Sequence, residues 1–239
     1  MGVAVLFRHA QASFLEPDYD KLSNLGEAQA RLLGEYWARH RIVFDRACTG
    51  PCVRQKDTLA IVSAVYRTAG TPFPDPLVLQ EFDEYRGEAV LDRSLPALLE
   101  TDQTIRELHS AFQSSSGAAE RRTTFQKLFE AIIAKWVREE ICPPGVETWV
   151  EFCSRVNSGL TKCLSAGSRG ERVAIFTSGG PIAVAMQRAL QLSAESTLKV
   201  SWMSRNSSWS KFIYSGERFT LSSFNCHAHI DDAALLTNR

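Results

Sequence analysis

Residues 3–14 read VAVLFRHAQASF, and the reading of their first half decides the fold. Val3, Ala4, Val5, Leu6 and Phe7 are apolar without alternation, which suits a short strand buried on both faces of a parallel sheet. Arg8 and His9 end that run. Far downstream, residues 172–183 read RVAIFTSGGPIA and repeat the plan: an apolar strand, a glycine turn, and a helix over residues 181–192 with Pro181 in its first turn.

Between these two units the same alternation recurs. In LGEAQARLLGEYWARH, residues 25–40, Ala28, Leu32, Leu33 and Tyr36 return at helical spacing, Ser23 can cap the start, and basic residues gather near the end. IVFDRACTG, residues 42–50, predicts a second strand closed by a Thr-Gly-Pro turn, and VRQKDTLAIVSAVYRTAG, residues 53–70, predicts a helix ended by Gly70. A Pro-rich connector then leads to LVLQEFDEY, residues 77–85. From about residue 90 to 165 the periodicity is helical, with breaks at SSSGAAE and CPPG, and predicts a helical insertion covering the sheet. WSKFIY and RFTLSSF flank Ser215 and Gly216, so the last strands are expected to run antiparallel at one edge. The expected fold class is α/β: a three-layer, mostly parallel open sheet with helices on both faces, in one domain spanning residues 1–239.

Composition sets the limits. With 239 residues, 44% hydrophobic and 23% charged, the chain is long enough to bury a sizeable core. Lys and Arg number 27 and so do Asp and Glu, so no net field draws the molecule to nucleic acid or to an anionic membrane surface. MGVAVLF is cut off by Arg8 before it reaches secretory length, and no apolar run approaches the roughly 18 residues of a membrane span. The expected location is the cytoplasm. Cys48, Cys52, Cys142, Cys153, Cys163 and Cys226 form no CxxC pair, so reduced thiols are expected, with no metal site.

In open α/β sheets ligands sit outside the carboxyl ends of the strands, where Arg8, His9, Thr49, Glu81 and Ser178 would gather. Two arginines there, Arg8 and Arg54, suggest a phosphate, because guanidinium groups match its oxygens with paired, charge-assisted hydrogen bonds. Arg54 lies near a helix start, which adds free backbone N–H groups and the positive end of the helix dipole. The imidazole of His9 can take up a phosphoryl group and release it to water, which splits one displacement into two easier ones. A carboxylic acid must then protonate the departing alcohol, and Glu81 is the candidate within a run that also holds Asp83, Glu84 and Glu88.

The segments LFRHAQASF, YDKLSNLGEAQARLLG, TGPCVRQKDTL, LQEFDEY, ETWVEFCSRV, FTSGGPIA, NSSWSKFIY and FNCHAHI, in that order, resemble the histidine phosphatase superfamily, the phosphoglycerate mutase-like fold. The resemblance covers nearly the whole chain apart from the helical insertion. It implies that His9 is the nucleophile, that Arg8 and Arg54 bind the phosphoryl group, and that Glu81 gives and takes the proton, with no cofactor. It departs from the family at two positions: Ala10 stands where the family has glycine, and Ser178 stands where it usually has a second histidine before paired glycines. Ser178 and Gly179 remain candidate phosphate ligands, but a hydroxyl cannot supply an imidazolium, and losing one such donor costs roughly 2.7–4 kcal/mol of transition-state stabilisation.

Three readings follow from that resemblance. One is a metal-independent phosphomonoesterase with a small phosphorylated substrate; another is a phosphate- or partner-binding protein that has lost turnover. A phosphoglycerate mutase is the weakest, because the loop after His9 reads QASFLEPDYD rather than the Asn-rich, Trp-containing loop of those enzymes. The helical insertion, with Arg106, His109, Arg121 and Arg122, is expected to set the substrate, and His109 is the histidine an insertion could bring over the pocket. Trp136, Trp149, Trp202 and Trp209 read mostly as core. A C-terminal edge strand can pair between subunits or be covered by its own chain, so monomer and homodimer both stay open.

Overall fold

The structure, a computed structural model, describes residues 1–13, 20–165 and 170–238. It divides into two compact units, one formed by Met1–Glu84 with Cys153–Arg239 and the other by Tyr85–Phe152.

The first unit holds a six-stranded sheet made of β1 (Gly2–Arg8), β2 (Arg46–Thr49), β3 (Pro76–Val78), β4 (Arg172–Thr177), β5 (Trp209–Ser215) and β6 (Arg218–Cys226). The strand order is β3-β2-β4-β1-β5-β6. β4 pairs in parallel with both β1 and β2, and β2 with β3, whereas β5 is antiparallel to β1 and β6 to β5. The sheet is mixed and mostly parallel, with helices on both sides, as the apolar runs at residues 3–7 and 173–177 predict.

β1 and β4 are buried along almost their whole length because both of their faces are covered. On one face Val5, Phe7, Ala174 and Phe176 pack with Leu33 and Trp37 of α1 (Asn24–Arg39) and with Leu59, Val62 and Tyr66 of α2 (Val53–Thr68). Phe7 stacks on Phe176 at 4.7 Å and meets Trp37 edge-on at 5.3 Å, geometries worth up to about 1 kcal/mol beyond burial. A methyl at Gly34 would lie 2.9 Å from Val65 Cβ, so the glycine is what lets α1 and α2 approach. On the other face Cys163 of α6 (Trp149–Leu164) donates its S–H to Cys48 of β2 at 2.9 Å.

The expected second strand comes out shorter. Ile42 N–H bonds Trp37 O in the turn that ends α1, so β2 begins only at Arg46. β3 stops at Val78 because residues Gln80–Phe82 wind into a 3₁₀ turn. α2 ends where expected, with Gly70 at φ 66. α7 (Gly179–Leu190) and α8 (Ala194–Met203) follow β4.

The second unit is helical: α3 (Gly87–Thr101), α4 (Gln103–Gln113) and α5 (Ala118–Val137). Its core centres on Trp136, packed among Tyr85, Trp149 and Phe152 at centroid distances of 5.4–6.5 Å in tilted and edge-on geometries, with the indole N–H donated to Glu147 O. Part of the stretch read as an insertion, from Cys153 to the end of α6, belongs to the sheet unit instead. Among the described residues no helix is long and apolar enough to cross a membrane.

Candidate active site

β1 and β4 end side by side, Arg8 opposite Thr177, and His9 N–H donates to Thr177 O at 2.8 Å. The sheet therefore brings His9 and Ser178 to neighbouring strand ends from opposite ends of the sequence. His9 is 6% exposed. Its Nδ1 lies 2.7 Å from Ala10 O, and a carbonyl can only accept, so Nδ1 carries the proton and Nε2 keeps a lone pair. Arg54 Nε–H donates to that Nε2 at 3.2 Å. Burial, then the positive charges of Arg54 and Arg8, hold the imidazole pKa well below the ordinary histidine value.

The arginines are fixed by what surrounds them. Arg8 donates to Ser204 O. Arg54 sits in the first turn of α2, where Asp20 bridges it to the helix start: Asp20 Oδ1 pairs with Arg54 at 2.6 Å and Oδ2 accepts Val53 N–H at 2.7 Å. The backbone after His9 is tied to the same helix, Ala10 N–H donating to Thr58 Oγ1 at 3.0 Å. Ala10 is fully buried and is not among the residues of positive φ, so its methyl fits where the resemblance leads one to expect glycine. Residues 14–19 of the loop QASFLEPDYD lie outside the described residues.

Ser178 is fully buried at the head of α7, yet its hydroxyl makes no capping bond to that helix. It accepts instead from Gln55 Nε2, 2.7 Å away. Gln55, next to Arg54 in α2, is itself fully buried; its Nε2 also donates to Phe82 O at 3.2 Å, and its Oε1 accepts Cys52 N–H at 3.2 Å. Gly179, likewise buried, lies where an added methyl would come 3.2 Å from Ser201 O and 3.8 Å from Arg8 Nε.

The structure brings Arg8, His9, Arg54, Ser178 and Gly179 to one end of the sheet, but Glu81 stands apart from them. In the 3₁₀ turn Glu81 turns toward α6, where its carboxylate pairs with Lys162, and that hydrogen bond lowers its pKa. Glu84, three residues on, reaches α7, its Oε2 accepting Gly180 N–H at 3.0 Å. Arg155 of α6 pins this turn through the carbonyls of Gln80, Glu81 and Asp83 at 3.1–3.2 Å. Sequence reasoning noted Glu84 only as one of an acidic run and missed Gln55 and Asp20. The one signal for Gln55 is its place directly after Arg54 in VRQKDT.

The model of the histidine phosphatase superfamily (branch 1) matches residues 88–227, more than half of the chain. The chain belongs to this superfamily. A search of curated proteins found no match. Solved structures of superfamily-like fold align over nearly the whole chain at low identity. They include an alpha-ribazole phosphatase from Shigella flexneri (TM-score 0.61, 16% identity, 94% of this chain and 96% of that one). A mycobacterial glucosyl-3-phosphoglycerate phosphatase in complex with inorganic phosphate aligns with TM-score 0.60 and 18% identity over 96% and 99%. A phosphoglycerate mutase from Bacillus anthracis str. Sterne aligns with TM-score 0.59 and 16% identity over 95% and 94%.

In this superfamily member the remaining histidines have partners of their own. His40 ends α1 against Tyr36, His227 meets Arg205 and Asn225 O, and His229 shares a 2.8 Å hydrogen bond with Ser207. His109 in α4 contacts Gln113 one turn on. Among the described residues no group of three or more His, Cys, Asp or Glu side chains could hold a metal ion.

Proposed function

We propose that this protein is a phosphomonoester hydrolase working through a phosphohistidine at His9, with Glu84 rather than Glu81 as its acid and base. The observation that carries the reading is the state of His9: a buried imidazole whose Nδ1 proton is held by Ala10 O and whose Nε2 lone pair lies beside Arg54.

Nε2 attacks phosphorus, the P–O bond to the alcohol breaks, and the leaving oxygen takes a proton from the Glu84 carboxyl. Water then attacks the phosphohistidine, gives its proton to the Glu84 carboxylate, and restores Nε2. Arg8 and Arg54 balance the charge on the equatorial oxygens. In the free protein Arg54 Nε–H donates into the lone pair that must attack, so an arriving phosphate has to draw that guanidinium onto its own oxygens. A bound phosphate anion also makes a neighbouring carboxyl easier to protonate, as the first step requires. Glu81 is poorly suited to that step, since its pairing with Lys162 favours the ionised form.

The test is phosphate release from an activated aryl phosphate ester without added divalent metal, in the parent and in His9→Ala. Turnover in the parent that vanishes in the variant supports the reading. Absence of turnover in the parent, with phosphate analogues still bound, replaces it with the second reading that Ser178 favours, a phosphate-binding protein without turnover.

A further inference from the structure

We propose that Gln55 is a positioning residue that aims the Ser178 hydroxyl proton at the bound phosphoryl group, a neutral donor arrangement in place of an imidazolium; the proposal rests on the anion site inferred above.

The direction of that proton follows from the partners of Gln55. Cys52 N–H can only donate, so the amide oxygen of Gln55 must face it. Phe82 O can only accept, so the amide nitrogen must face that side. The orientation of the amide is thereby settled without reference to Ser178. Its nitrogen has two hydrogens, one for Phe82 O and one for Ser178 Oγ at 2.7 Å. Ser178 Oγ therefore accepts from Gln55, and its own proton must leave in another direction. The hydroxyl does not cap α7, and its strand end adjoins that of His9. An anion on His9, Arg8 and Arg54 is the acceptor that this placement suits.

Gly50 belongs to the same device. A methyl there would fall 2.1 Å from Gln55 Oε1 and 2.5 Å from Phe82 O, so only glycine leaves room for the amide. Gln55, Gly50 and Ser178 come from α2, the turn before it, and the end of β4, and the amide joins them in a fully buried contact.

The experiment measures binding of orthovanadate, an analogue of the transferring phosphoryl group, to the parent and to Ser178→Ala, Gln55→Glu and their double variant across pH, with phosphate release followed in parallel. Ser178→Ala is expected to weaken binding about 10- to 100-fold, the range for a hydrogen bond to a charged group. At neutral pH Gln55→Glu presents an ionised carboxylate that takes the serine proton for itself. A similar loss is expected, with little further loss in the double variant. As pH falls and the carboxylate is protonated, the affinity of Gln55→Glu relative to parent should recover; a merely structural role gives no such recovery.

If Gln55→Glu does not fold, Gln55→Met, which keeps the length and loses the donor, should reproduce the Ser178→Ala loss and again add nothing to it. Unchanged vanadate affinity in Ser178→Ala, additive losses, or no vanadate binding by the parent overturns the proposal. Vanadate binding that follows the expected pattern with no turnover in any protein leaves it standing and removes the hydrolase reading alone.

Discussion

Among single residues, the pair Glu81 and Glu84 gives the sharpest contrast. Both are acidic and three positions apart, yet one pairs with Lys162 on α6 and the other meets the first turn of α7. Glu84→Gln is expected to lower turnover of an aryl phosphate by about 10²–10⁴-fold, the usual contribution of a general acid, while Glu81→Gln stays within about threefold of parent. Steady-state kinetics of the two variants decide between them. His9 adds a prediction on pH: burial and the two arginines hold its pKa well below 6.5, so the proposed nucleophile stays unprotonated in mildly acidic buffer. The acid limb of the kcat/KM profile should accordingly lie well below pH 6.5.

Elements carry these residues, and here sequence and structure differ in an instructive way. β1 and β4 were legible because burial on both faces leaves an unbroken apolar run, and Arg8, His9 and Ser178 were legible because they stand where such runs stop. Arg54 was legible from its place at a helix start. Glu84 was not, because an acidic run carries no mark of which carboxyl turns inward; a three-residue 3₁₀ turn held by Arg155 makes that choice. Arg155→Ala should therefore depress turnover by loosening Glu84 while vanadate binding changes little, as parallel kinetic and binding measurements would read. Gln55 was hidden for another reason: a glutamine in an amphipathic helix reads as solvated, and only the glycine at 50 makes room to bury it. Gly50→Ala forces that side chain to move and is expected to cost about 1–3 kcal/mol of stability by overpacking, measurable by denaturant titration.

The molecule as a whole should be acid-sensitive in a defined window. Burial, and to a lesser degree His227, lowers the His229 pKa from 6.5 to about 4. The folded state refuses a proton that the unfolded chain accepts below 6.5, so stability present above that pH is lost as pH falls toward 4. The loss is on the order of 3 kcal/mol for this group, and His9 adds to it in the same direction. Thermal melts from pH 7 to pH 4 should show Tm falling, and His229→Gln should flatten the slope. The strand order has a bearing on biosynthesis. β4 lies between β1 and β2, so β1, the first strand made, has no neighbour to pair with until β4 has been synthesised, while β2 has only β3 beside it. A nascent chain carries the His9 segment as an unpaired apolar edge through most of translation, and the proposed anion site is assembled only when β4 slots in. Fragments ending before β4 would hold Arg8, His9 and Arg54 and still have no site, exposing a sticky strand to whatever chaperone meets it first.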